Sequence, residues 1–144
     1  MKTTIPECAP YAERRRLEAA LLLDTETGVR RSAAVELGRI GDAAAVPALA
    51  TALAGDADTD IRQQAADALG CIGGPPAVAA LATALAGDAD TVVRELAADA
   101  LGCIGGPPAV AALATALAGD ADTVVRWRAV VALGRIGDAA AVAA

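Results

Sequence analysis

The chain has 144 residues, 56% of them hydrophobic but only 1% aromatic, with one Trp, one Tyr, no Phe and no His. A chain of this length buries most of its apolar surface, so its core is aliphatic, and the missing imidazole excludes Ser-His-Asp and Cys-His nucleophiles, His-Glu zinc motifs and His-ligated iron. Twelve Lys and Arg against 18 Asp and Glu give a formal charge of −6, which opposes nucleic-acid binding, and two aromatic rings make no stacking platform for single strands.

The longest apolar run, Pro75 to Gly87, falls short of the roughly 18–20 residues that cross a bilayer, so no membrane partner is expected. Pro6, Glu7 and Pro10 interrupt the stretch where a secretory peptide would be apolar. Three cysteines, odd in number and widely spaced, suit a reducing compartment, and the expected location is cytoplasmic.

The sequence repeats. Leu-Gly-x-Ile-Gly occurs at Leu37, Leu69, Leu101 and Leu133, each 32 residues after the last, and Arg30, Arg62, Arg94 and Arg126 keep the same step. A period of that size marks a solenoid, in which stacked units supply the core that one unit lacks. In chain order, residues 1–25 hold a lone second-type helix near Tyr11 to Leu23. Full two-helix repeats follow at 26–57, 58–89 and 90–121, and 122–144 hold a first-type helix from Asp122 to Ile136 whose mate is a stub after Asp138.

Within the unit at Asp90, the residues Val93, Ala97, Ala100, Leu101 and Ile104 recur at helical spacing. Asp58, Asp90 and Asp122 stand at N-cap positions, and Gly105 stands where a left-handed cap ends the helix. Gly106-Pro107-Pro108 restarts the chain into a second helix to about Ala118, with Val110, Leu113 and Leu117 on one face. No stretch alternates as a strand does, and the expected fold is an all-α solenoid of two-helix repeats forming a single domain over 1–144. Small and aliphatic buried positions let the helices approach closely in every unit, which accounts for the missing Phe.

The pattern Asp-x-Asp-x-x-Val-Arg-x-x-Ala-Ala-x-Ala-Leu-Gly-x-Ile-Gly at Asp88 to Gly105 resembles the bilin-lyase HEAT-like repeat, and the resemblance covers about residues 17 to 144. It implies a right-handed superhelix with the Val-Arg helices lining the concave side. Similar modules occur in phycobilin lyases, in bacterial scaffolds and in a hydroxylase acting on a translation factor. The iron site of that hydroxylase needs His-Glu pairs, so the missing His predicts a different, non-enzymatic chain. The resemblance also implies that Arg30, Arg62, Arg94 and Arg126 are structural, tying one repeat's inter-helix loop to its neighbour through Asp56, Asp88 or Asp120.

Function is sought where the copies differ. Gly74 to Thr91 and Gly106 to Thr123 are identical, whereas the first helices change. Arg31, Ser32, Val35 and Arg39 become Gln63, Gln64, Asp67 and Cys71, then Glu95, Leu96, Asp99 and Cys103, then Trp127, Arg128, Val131 and Arg135. These positions share one helix face and are the candidate surface for a protein partner, with Trp127 as its anchor. The expected function is a non-enzymatic binding or scaffolding module, the alternative a subunit or regulatory domain of a phycobilin lyase or other enzyme. The near-identity of the middle units also suggests a designed or recently duplicated array.

Cys71 and Cys103 are expected as free thiols, because without His they make a poor zinc site and stacked helices hold them too far apart for a disulfide. No cofactor or metal is expected. Arg14, Arg15 and Arg16 read as a solvated helix face. Val125, Ala129, Leu133 and Ile136 are expected to lack full cover, which points either to an excerpt of a longer solenoid or to head-to-tail self-association.

Overall fold

A computed structural model describes residues 9–143 of the chain, with side-chain surroundings for 10–139. Cys8 lies outside the described residues. Eight α-helices follow one another: α1 Ala9–Leu23, α2 Thr27–Ile40, α3 Val46–Gly55, α4 Thr59–Ile72, α5 Pro75–Gly87, α6 Thr91–Ile104, α7 Pro107–Gly119 and α8 Thr123–Ala143. A 3-10 turn, Ala43–Ala45, leads into α3, and there is no strand among the described residues.

The even-numbered helices stack on one another in one layer, the odd-numbered ones in a second, and each odd helix packs on the even helix that follows it. This is an α-solenoid. Its core consists entirely of Ala, Val, Leu and Ile, from Leu21 in α1 to Ala132 in α8.

Local chemistry sets the helix bounds. The Asp58 carboxylate accepts from the Asp60 N–H at 2.8 Å, Asp90 from Val93 at 3.0 Å, and Asp122 from Val124 at 2.8 Å, each satisfying an orphan donor of the first turn. Pro at N1 or N2 opens α3, α5 and α7, where no intrahelical N–H is required. Gly41 ends α2 in the left-handed region at φ 72° and ψ 16°. Gly105 and its counterpart Gly73 differ from that expectation: their φ is positive but ψ is −165° and −164°, a combination that essentially only glycine adopts. The following Gly74 and Gly106 also take positive φ, so the Gly-Gly pair turns the chain within two residues.

The tightest approach lies between successive helices of the even layer. A Cβ built on Gly102 would sit 2.7 Å from the Ala132 Cβ, on Gly70 2.8 Å from that of Ala100, and on Gly38 2.9 Å from that of Ala68. The second residue of Leu-Gly-x-Ile-Gly is therefore the contact point of the stack, and the facing Ala is as small as a side chain can be.

Three further expectations are corrected. The helix of the last unit does not stop at Ile136; α8 runs on to Ala143 without a turn at Gly137. Val125 and Ala129 are fully buried, whereas Leu133 and Ile136 are, as expected, only partly covered where they pack against the core. The large apolar residues most open near that end are Val110, Leu117, Val124, Trp127, Val130 and Val131. Finally, Arg14 is buried, its Nη1 donating to Glu18 Oε1 at 2.6 Å and its Nε 3.1 Å from Asp42 Oδ2, with the guanidinium 5.0 Å above the Tyr11 ring. Arg15 and Arg16 are exposed.

Candidate functional site

The register arginines build a ladder along the solenoid. Arg30 Nε donates to Asp56 Oδ2 at 3.0 Å and its Nη2 to Oδ1 at 3.3 Å, and Arg62 with Asp88 and Arg94 with Asp120 repeat both distances. Nη1 of Arg30, Arg62, Arg94 and Arg126 donates to the carbonyl oxygens of Asp24, Asp56, Asp88 and Asp120. Each of Asp56, Asp88 and Asp120 also accepts the N–H two residues on at 2.9 Å. Every interior aspartate thus joins two arginines, one through its carboxylate and one through its carbonyl, in the bidentate geometry that suits a guanidinium. Arg126 has no carboxylate partner among the described residues and reaches Thr123 Oγ1 at 3.3 Å.

Charge follows this geometry. Burial pushes the Asp120 carboxyl up, but the Asp122 N–H and the Arg94 guanidinium outweigh it and hold the group below the ordinary carboxylate range. The Asp56 hydrogen bond keeps Arg30 above its ordinary value.

The varying positions lie on the other face of the even helices. Arg31, Ser32, Val35 and Arg39 of α2 are exposed. In α4, Gln63 and Gln64 are half-buried and Asp67 and Cys71 exposed; in α6, Glu95, Leu96 and Asp99 are half-buried and Cys103 exposed. In α8, Trp127 is 59% exposed, Val131 and Arg135 are exposed and Arg128 is half-buried. The structure brings Val35, Arg39, Gln64, Asp67 and Cys71 together around a shallow groove between α2 and α4.

Contacts across the stripe, which the sequence reading did not find, give it internal structure. Arg128 Nη1 donates to Asp99 Oδ2 at 3.0 Å while its guanidinium lies 5.7 Å from the Trp127 ring, so the ring, the cation and the carboxylate form one unit. Arg135 Nη1 lies 3.3 Å from the Cys103 sulfur, and Arg39 Nη1 donates to Glu36 Oε1 at 2.9 Å. Cys71 and Cys103 are exposed free thiols. Asp99 and Arg128 lie 29 residues apart on successive even helices, whereas Cys103 and Arg135 lie 32 apart.

Asp67 has a different environment from Asp99. Desolvation pushes its carboxyl above the ordinary range, and the charge of Asp99 pushes the same way. Among the described residues no cluster of three His, Cys, Asp or Glu could hold a metal ion, and no helix is long and apolar enough to cross a membrane.

Comparison with known proteins places this architecture. Residues 15–102 and 83–144 match HEAT repeats. No curated protein sequence matches the chain. Among solved structures, human deoxyhypusine hydroxylase in complex with glycerol is 35% identical, with a TM-score of 0.78 over 87% of this chain and 43% of that one. The chain therefore spans less than half the length of the hydroxylase it resembles. This likeness to an enzyme overturns the expectation of a non-enzymatic chain: a missing His argues against one constellation within these residues, and it does not separate the chain from enzymes built on the same repeats. With residues 15–144 accounted for by matched repeats, the chain belongs to the HEAT-repeat family.

Proposed function

We propose that the chain is the repeat module of an enzyme, a subunit or regulatory domain that holds a protein partner on the stripe of its even helices, with the reacting groups on another domain or chain. The observation that carries this reading is the 35% identity to deoxyhypusine hydroxylase over 87% of the chain. The stripe supports it from the side of the surface. Successive units alter these positions while the Arg-Asp ladder is kept, and the exposed Trp127, held by Arg128 and Asp99, has the composition of an interface anchor. Within HEAT repeats we assign the chain to the short, bilin-lyase-like type, on its 32-residue period and its Val-Arg register.

The test is affinity purification of the tagged chain and of Trp127→Ala, with the captured proteins identified and assayed. Capture of an enzyme by the parent chain, weakened by about 2 kcal/mol or more in Trp127→Ala, is the expected result. An enzyme captured equally by both proteins removes the stripe from the reading. Capture of non-enzymes alone removes the enzyme.

A further inference from the structure

Helices α5 and α7 have the same sequence, but α5 has α7 beside it and α7 has no further odd helix among the described residues. Val78 and Leu85 of α5 are 6% and 2% exposed, whereas their counterparts Val110 and Leu117 are each 37% exposed. Ala82, Leu85 and Ala86 line the groove that α5 shares with α7, and the matching Ala114, Leu117 and Ala118 lie open. The even layer ends in the same way. Gly38, Gly70 and Gly102 each meet an alanine of the next even helix, while Gly134 meets nothing within 4 Å. Ala34, Ala66 and Ala98 are fully buried, and Val130 in the same register is 50% exposed. The ladder stops here as well: Arg30, Arg62 and Arg94 hold a carboxylate 26 residues on, and Arg126 holds none among the described residues. An apolar face, an open contact point and an unpaired guanidinium thus share one end of the stack. Each lacks what a further repeat supplies.

The other end is built differently. Asp24 keeps the ladder's turn, its carboxylate accepting the Glu26 N–H at 2.9 Å as Asp56 accepts that of Asp58. Two neighbouring positions nevertheless carry charge where a junction needs small residues. Glu36 stands in the register of Ala68, Ala100 and Ala132, the alanines that meet the glycine of the preceding even helix. Arg16 stands in the register of Ala80 and Ala112, which line the grooves against the preceding odd helix. A contact that barely admits a methyl group has no room for a glutamate side chain, and burying either charge unpaired is costly. A polar outer face of this kind caps a solenoid. One end of the molecule is capped and the other is open.

We propose that the open face of α7 and α8 docks the leading helix pair of a partner protein built from the same kind of repeat. The partner's odd-type helix lies on Val110, Ala114 and Leu117, and the aspartate that follows it takes the Arg126 guanidinium in the bidentate geometry of the ladder. A glycine or alanine of its even-type helix meets Gly134. The partner is a different chain, because Arg16 and Glu36 keep a second copy of this one from seating. The contact runs through the end of the stack, so it does not depend on what the stripe holds.

The probe is the full chain with its cap removed and its own open face blocked, Arg16→Ala/Glu36→Ala/Leu117→Asp, which brings Asp24 as the ladder aspartate. It is mixed with the unaltered chain, and the masses are read by sedimentation velocity up to about 1 mM, the range of a weak specific contact. The expected result is a one-to-one complex in the mixture, with each protein monomeric alone. Arg126→Ala in the unaltered chain, or Asp24→Asn added to the probe, weakens the complex at least fivefold, and Gly134→Leu in the unaltered chain abolishes it. Arg16→Ala/Glu36→Ala, in which the open face is kept, associates end to end by itself; this second variant decides the question if the probe shows no helical circular dichroism. Absence of assembly in both the mixture and the double variant would overturn the proposal, as would a complex indifferent to Arg126→Ala and Gly134→Leu. Self-association of the unaltered chain as strong as that of the double variant would assign the face to a second copy and overturn it too.

Discussion

Leu37 to Val46 and Leu133 to Val142 are the same ten residues, Leu-Gly-Arg-Ile-Gly-Asp-Ala-Ala-Ala-Val, and they do not fold alike. In the first copy Gly41 turns left-handed, Asp42 caps the 3-10 turn through the Ala44 N–H at 2.9 Å, and α3 begins. In the second copy α8 passes straight through Gly137 and Asp138. Two differences outside the ten residues account for this. Pro47 follows the first copy, where it cannot continue a helix from Ala43, and Ala143 follows the second. Asp42 also has Arg14 of α1 at 3.1 Å to hold it in place, whereas Asp138 is exposed. The turn of this repeat is thus set by the proline that follows it and by what packs on it.

If that is so, one substitution must act oppositely in the two copies. Gly38→Ala is the largest expected effect: its Cβ would lie 2.9 Å from the Ala68 Cβ and 3.0 Å from the Ala68 backbone, so two helices must part, and a loss of about 2 kcal/mol is expected in urea unfolding. Gly134→Ala meets nothing within 4 Å and should raise stability by up to ~1 kcal/mol through helix propensity. Gly41→Ala forces an L side chain to φ 72° and costs roughly 1–2 kcal/mol, while Gly137→Ala, inside α8, again gains up to ~1 kcal/mol. A loss of helical signal in Gly137→Ala would show that the second copy turns as the first does.

Asp42→Ala comes next. It removes the cap on Ala44 and one of two carboxylates around the buried Arg14, for an expected loss of about 1 kcal/mol in thermal unfolding. Asp138→Ala should stay within roughly 0.5 kcal/mol of the parent.

Much of the fold was legible because it repeats. The 32-residue step places every helix but the end of α8 to within a few residues, and the four register arginines stand out in the sequence. The Gly of Leu-Gly-x-Ile-Gly was visible too, but its role as the contact point depends on which Ala faces it across the stack. The stripe could be read from variation between copies, yet its internal pairing could not. The pairing of Arg128 with Asp99 depends on how far one helix slides along the next. The extension of α8 was hidden because the local sequence is identical to one that turns.

The smallest prediction extends the comparison of like sequences in unlike places to charge. Asp67 and Asp120 are shifted in opposite directions, up and down from the ordinary carboxylate range. A raised folded-state value means that the fold disfavours the ionised Asp67, so a contribution present at low pH is lost as pH rises through its folded value. A depressed value means that Asp120 contributes above the unfolded value near 3.9 and loses that contribution as pH falls through its lower folded one. Asp67→Asn should then match the parent in stability at the acid end and exceed it by a few tenths of a kcal/mol at neutral pH, a small gain because the group is exposed and screened by solvent. Asp120→Asn should show the opposite pH trend, with its deficit largest at neutral pH and shrinking toward pH 3. Urea midpoints at pH 3, 5 and 7 read both slopes. A neutral-pH gain in Asp67→Asn would show that the ionised Asp67 is held at some expense to the fold.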